Sequence, residues 1–345
     1  MKKKFASIAY VIDERLESLF HDVFNNENYH PLFFPVPPLE INRELETLTL
    51  RGGKRLRPAL MVAGYELYQE GALQNAALLD AACAMEVLQS YFLIHDDIMD
   101  GDPMRRGGPS VHASLQRKTG HPTLGVHLGI LAGDLGCALH EYLLAGLDCA
   151  DDVYRRVQRI FSRMHMDVVM GQALDLQASA SPREIVQRKT ASYTTIGPLC
   201  LGAALGGADD EALEQIAALA RPMGIAFQYR DDIIGMFGDA GIAGKPVGSD
   251  LRNNKRTLLV EDAMTHLNVE DRKALEGILK SDTLRNAEVN QALAHIKRSG
   301  ARERVEQRIE TLCAEVEKGI QPLSGLESGK TFLLWLNRLL AFRET

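Results

Sequence analysis

The stretch LIHDDIMDGDPMRRGG, residues 93–108, sets Asp96, Asp97 and Asp100 within five positions and follows them with Arg105 and Arg106. On a helix Asp96 and Asp100 are i and i+4, roughly 6 Å apart on one face, where like charges repel. Stability alone gives no reason to gather them. Two carboxylates at that spacing can share a hard cation, and Mg²⁺ suits them: it takes one or two protein carboxylates and completes its shell with water and phosphate oxygens. A solvated helix end would account for one such cluster. A second, DDIIG at 231–235, again closes a strongly apolar stretch, and two are harder to dismiss. The pair suggests two metal sites facing each other, with Asp231 and Asp232 on the opposite wall.

Basic residues accompany the acids. RGGKRLRP (51–58) puts Lys54 and Arg57 just after a glycine pair, where the backbone can approach a ligand closely. Lys189 precedes Thr190, and Lys245 and Lys255 flank GKPVGSDLRNNK (244–255). Any one lysine alone is an ordinary surface charge. Arginine forks and lysine point charges beside Mg²⁺-binding acids are what a diphosphate requires. The P-loop pattern GxxxxGK[ST] is absent, as are HExxH and GxSxG. His95, one residue before Asp96, points about 100° away from it, which predicts a helix-packing role.

The elements that must position these groups read as helix after helix, because apolar residues recur at three- and four-residue spacing and strict alternation is rare. Residues 76–100 contain neither Gly nor Pro and stop at Gly101-Asp102-Pro103. Further helices are expected over 152–179 and over 211–237, the latter bent at Pro222. Loops are expected at 34–38, 101–110, 119–122, 206–210, 238–250 and 322–329. None resembles an interdomain linker, so the reading is one all-α domain over 1–345, its longest helices antiparallel around a central cavity. The 345 residues are 46% hydrophobic and 25% charged, with net charge −7, which argues against a general nucleic-acid binder. Five scattered cysteines without CxxC spacing predict reduced thiols and a cytoplasmic setting. The start, MKKKFASIAYVIDERL, imitates a signal peptide but shows no cleavage site, and no stretch was expected to span a membrane.

Taken in order, GGKRLRP, LQSYFLIHDDIMDGDPMRRG, GQALDL, KTASY, FQYRDDIIGMFGD and GKPVGSDLRNNKRT resemble the motifs of the trans-isoprenyl diphosphate synthases, the family of farnesyl and geranylgeranyl diphosphate synthases. The similarity runs from about 48 to about 260. It implies a head-to-tail condensation: an allylic diphosphate ionises, the double bond of isopentenyl diphosphate attacks the cation, and a proton is lost. Metal-assisted charge neutralisation and an apolar tunnel fit that chemistry. By motif match, Asp96, Asp100 and Asp231 resemble ligands of Mg²⁺, three ions per site. Arg105, Lys189, Thr190, Gln228, Lys245 and Lys255 resemble allylic diphosphate contacts, with Lys189 and Lys245 counted among the catalytic groups. Lys54, Arg57, Gln89 and Arg106 resemble the isopentenyl diphosphate site. Gln172 and Asp175 resemble cavity residues that orient the basic groups, while Asp97 and Asp232 resemble partners that act from behind the direct ligands or through water. The resemblance also implies a homodimer. One departure is Gly235, where the common second motif has an acid; some archaeal and actinobacterial-type members share it, and Asp231 and Asp239 are left to compensate.

Chain length in this family follows the side chains before the first aspartate. Phe92 lies one turn, about 5.4 Å, below Asp96, with Tyr91 beside it and Leu88 another turn down. Two rings so close beneath the acids predict a short product, farnesyl diphosphate, with geranylgeranyl diphosphate as the alternative; plain core packing would equally use such rings. More distant alternatives are a terpene cyclase, against which the basic site for a second diphosphate counts, and a catalytically silent subunit, against which the retained acids count.

Overall fold

The computed structural model describes residues 1–25, 37, 39–238, 248–252, 255, 257–281 and 284–343. Its chain divides into two compact units, Met1–Gln158 with Leu201–Gly207, and Arg159–Cys200 with Ala208–Thr345. Two of the three crossing points fall inside helices, at 158/159 and 200/201, and the third in the short turn at 207/208.

The first unit holds α1 (Lys2–Phe24), α2 (Glu40–Leu50), α3 (Leu56–Glu66), α4 (Ala76–Asp100), α5 (Val111–Thr119) and α6 (Pro122–Ala145). It also takes in the start of α7 (Asp151–Leu176) and the end of α9 (Gly197–Leu205). The centre of this unit is α4, packed along α6 and flanked by α3 and α1. Asn75 starts α4, its side-chain oxygen accepting from Leu78 N at 2.8 Å, and Gly101 ends it in the left-handed conformation at φ 67°. Between these caps α4 is apolar nearly all round and correspondingly buried, as a core helix must be.

The second unit runs from the rest of α7 through α8 (Pro182–Ile185), a π-helical segment (Val186–Ile196) and α10 (Asp210–Phe237). Beyond α10 come α11 (Ser249–Arg252), α12 (Leu258–His266), α13 (Val269–Leu279), α14 (Asn286–Arg298), α15 (Ala301–Ile320) and α16 (Glu327–Phe342). Here α10 lies against the π segment on one side and against α15 and α16 on others. Ile225, Tyr229, Ile233 and Met236 from α10 join Leu259, Ile296 and Ile309 in one buried cluster.

The three long helices form close to their expected bounds. Leu176 ends α7 three residues early, where Ala178 turns to φ 48°. Pro222 is accommodated within a continuous α10. The 101–110 loop contains a feature the periodicity does not show: a two-residue ribbon, β1 (Met104–Arg105) against β2 (Gly108–Pro109). Arg106 and Gly107, at φ 51° and 72°, supply the left-handed pair that a tight hairpin demands. The membrane expectation needs correcting. By length and composition alone, α4 and α6 are each long and apolar enough to cross a bilayer. α4 is largely buried, whereas only 33% of the qualifying stretch of α6 is.

Candidate active site

The end of α4 places its carboxylates on two faces. Asp97 is fully buried, while Asp96 and Asp100 share a half-buried stripe with Phe92. Arg105, delivered by the hairpin, answers the crowding of charge. Its guanidinium bonds Asp97, with Nε at 2.7 Å, and lies 3.6 Å from both Asp96 and Asp102. Burial nonetheless pushes the Asp97 carboxyl up to about 6, against the lowering effect of Arg105. Burial alone would lower the Arg105 guanidinium; the three acids together raise it. The hairpin is in turn held by Arg51, which donates to the carbonyls of Arg105 at 3.1 Å and Pro109 at 2.7 Å.

A cationic group builds up beside these acids. Arg55, whose side chain is wholly buried, anchors the GGKRLRP turn through Asp13 at 2.7 Å, Glu86 at 2.5 Å and the Thr49 carbonyl at 2.9 Å. That strut sets out Lys54 on the surface and Arg57 in a buried position. Arg106 donates to the Leu48 carbonyl at 3.1 Å, and its guanidinium carbon would lie 3.6 Å from a Cβ at Gly53. Burial lowers its pKa; the charge of Glu86 opposes that, and the charges of Arg55, Arg57 and Arg105 add to it. Guanidinium groups gathered against their own repulsion favour an anion with several oxygens. Gln89 is half-buried on α4.

On the same helix, His95 packs as its spacing predicts. Its Nε2 lies 3.2 Å from the Ile130 carbonyl, and its ring fills the space above Gly133. Tyr91 stacks edge-on to His95 at 4.8 Å, with the Phe92 ring 5.1 Å away, and Leu88 is fully buried.

The second unit gathers another set. Lys189 and Thr190 sit in the π segment, a geometry that tends to mark functional positions. Lys189 Nζ donates to Asp175 at 3.0 Å. Thr190 donates to Gln228 at 2.8 Å, and Gln228 donates on to Asp232 at 2.8 Å, so three of the expected residues form one relay. The segment is approached tightly from both sides. A Cβ at Gly171 would lie 2.6 Å from the Lys189 backbone nitrogen, and one at Gly224 would lie 2.6 Å from Ala191 Cα. Gln172 lies half-buried on α7 near Asp175 in sequence. Asp232 is buried and its carboxyl is raised well above the usual range, first by burial and then by the charge of Asp250. The Gln228 hydrogen bond and the Lys255 charge oppose that rise. Asp231 turns outward, its side chain 47% exposed, and pairs with Arg343.

Two expected residues, Lys245 and Asp239, lie outside the described residues. Asp250 is the neighbour of Gly235 that can be seen: a Cβ at position 235 would lie 2.6 Å from its Oδ2. Arg51, Arg55, Asp250 and Arg343 were not singled out from the sequence. The first three lie in or beside stretches already quoted; Arg343 has no motif around it.

The donor set fits a hard cation. Among the described residues no three His, Cys, Asp or Glu side chains close into a metal shell. Asp96 and Asp100, half-buried carboxylates one turn apart on α4, are hard oxygen donors of the kind taken by an ion that fills the rest of its shell from water and ligand phosphates.

Comparison with known proteins agrees with this chemistry. A family model described as polyprenyl synthetase matches residues 39–296. A geranylgeranyl diphosphate synthase of Saccharolobus solfataricus is 32% identical over 295 residues, 82% of this chain and 84% of that one. A farnesyl diphosphate synthase of Geobacillus stearothermophilus is 31% identical over 275 residues, 75% and 87% of the two chains. The crystal structure of a geranylgeranyl pyrophosphate synthase from Corynebacterium glutamicum, complexed with isoprenyl diphosphate and magnesium, matches with a TM-score of 0.87 at 30% identity. It covers 97% of this chain and 98% of its own. An all-helical fold with these matches defines a prenyltransferase. The chain belongs to the polyprenyl synthetase family, the trans-isoprenyl diphosphate synthases.

Proposed function

We propose that this protein is a short-chain trans-prenyl diphosphate synthase that joins isopentenyl diphosphate to dimethylallyl or geranyl diphosphate, and that farnesyl diphosphate is its main product. Geranylgeranyl diphosphate is the alternative product, and relatives bearing each name match at similar identity. The observation that supports the reading best is the half-buried Asp96–Asp100 stripe at the end of α4, set beside the guanidinium groups of Arg105 and Arg106.

In this reading Asp96, Asp100 and Asp231 hold three Mg²⁺ ions, which when bound neutralise the charge growing on the departing diphosphate. Arg105, Lys189, Thr190, Gln228, Lys245 and Lys255 grip the allylic diphosphate. Lys54, Arg57, Gln89 and Arg106 grip the second substrate. Asp175 aims Lys189, and the Thr190–Gln228–Asp232 relay fixes the orientation of its members. Phe92, on the acids' own stripe, limits product length, with Tyr91 and Leu88 behind it.

The whole chain, 1–345, acts as one catalytic body in this reading, supported by the 97% coverage of the Corynebacterium likeness. It functions as a homodimer in the cytoplasm, where its five free cysteines remain thiols. An apolar stripe of α6, Leu124, Leu131 and Tyr142 at seven- and eleven-residue spacing, is exposed and suits a second copy.

The deciding experiment is incubation of the purified protein and Mg²⁺ with labelled isopentenyl diphosphate and each allylic starter in turn, followed by chain-length analysis. Fifteen-carbon product supports the reading. Hydrocarbon released from farnesyl diphosphate alone would make it a cyclase, and no turnover with any starter would make it a silent subunit.

A further inference from the structure

Arg343, just past the end of α16, lies 112 positions from Asp231 in sequence yet donates through Nη2 to the Asp231 carboxylate. Three observations show that this is a built contact. The Arg343 guanidinium carbon stands 3.9 Å from the centroid of the Phe227 ring, one turn before Asp231 on α10. The Arg343 side chain is only 10% exposed, whereas that of Asp231 is 47% exposed. Next to Asp231, Arg230 Nε donates to the Ala341 carbonyl at 2.8 Å, so residues 230–231 and 341–343 clasp each other from both directions.

We propose that Arg343 is a positioning residue for Asp231: its guanidinium holds that carboxylate when no cation does, a metal ion must displace it, and Arg343 thereby sets the magnesium requirement of the enzyme. The proposal rests on the reading of Asp231 as a metal ligand. A carboxylate that turns outward on a helix end has many orientations available, and a guanidinium fixed on an aromatic face restricts them. Guanidinium and metal ion cannot both occupy the same carboxylate lone pairs, so the pair opposes metal entry by as much as the ion pair is worth. For a pair with one half-exposed partner that is a factor of about two to five in an equilibrium constant. The Phe227 ring keeps the displaced guanidinium close by, so the carboxylate is recaptured when the metal leaves.

The test compares the full-length protein with Arg343→Gln, Arg343→Lys, Asp231→Asn and the double variant Asp231→Asn/Arg343→Gln. Mn²⁺ binding in the presence of inorganic pyrophosphate is followed by electron paramagnetic resonance, alongside the Mg²⁺ concentration for half-maximal turnover and the KM and kcat for each substrate. Removing the guanidinium should tighten Mn²⁺ binding and lower the half-saturating Mg²⁺ about two- to fivefold; Lys at 343 should restore most of the wild-type requirement. The shift should vanish in the Asp231→Asn background, since both effects act through one carboxylate. A clasp serving stability alone would lower the melting temperature and leave Mn²⁺ binding unmoved, which overturns the proposal. A raised KM for one diphosphate with unchanged metal binding would make Arg343 a substrate contact, and overturns it too. Unaltered Mn²⁺ binding in Asp231→Asn alone would show that the metal-ligand reading has failed, independently of the Arg343 arms.

Discussion

Each DD pair splits its labour by a single step along the helix. Asp96 and Asp231 are the more exposed members, and Asp97 and Asp232 are buried and hydrogen-bonded to Arg105 and Gln228. The 100° step between successive residues makes that division readable from sequence. The partners were not readable, because Arg105 reaches Asp97 across a hairpin and Asp250 reaches position 235 from beyond the second motif. Replacing Asp96 or Asp100 by Asn should lower kcat by two orders of magnitude or more, in the range found when a group stabilising developing charge is removed; steady-state assays across Mg²⁺ concentration would check it. Restoring an acid by Gly235→Asp should reduce activity, because the new side chain starts 2.6 Å from the Asp250 carboxylate and like charges meet there. Gly235→Asp matching or exceeding the parent would show that the space is freely available. Phe92→Ala should shift the product towards longer chains, visible by chromatography of the dephosphorylated alcohols.

At the scale of elements, the long helices were legible because their caps and breakers are written locally: Asn75 before α4, Gly101 after it. Asn75→Ala should cost about 1 kcal/mol, the usual value of an N-cap, seen as an earlier urea transition. At α14, the Glu288 carboxylate reaches back to accept from the Arg285 backbone N–H at 2.8 Å and from its guanidinium at 2.8 Å, and these hydrogen bonds hold the Glu288 carboxyl down at about 2, below its ordinary 4.5. A depressed carboxyl contributes stability that is complete above 4.5 and lost as pH falls towards 2. Glu288→Gln should therefore lower the melting temperature most at neutral pH and flatten the acid limb, the gap to the parent closing as pH falls from 4.5 towards 2. The π segment was not legible: its apolar spacing resembles that of an α-helix, and the close approach of neighbouring backbones at Gly171 and Gly224 depends on segments distant in sequence. The hairpin escaped periodicity for a simpler reason, since two-residue strands are too short to alternate.

For the molecule as a whole, apolar periodicity pointed to the helical class and the ordered motifs to the family, because both are properties of the chain read in one direction. What depends on distant segments meeting, such as the Arg343 clasp or the Arg55 strut, has no local signature. The exposed stripe on α6 belongs to this scale: light scattering should give twice the chain mass, and charged residues at Leu131 and Tyr142 together should shift it towards monomer. The wide-turned run from Val186 to Ile196 constrains how such a chain can tolerate indels. A π turn holds about one residue more than an α turn, so losing a single codon there would let the run tighten and swing Lys189 round the axis, away from Asp175. Deletions that frayed helix ends absorb without notice would, at this one place, silence the enzyme while leaving its helical content almost untouched.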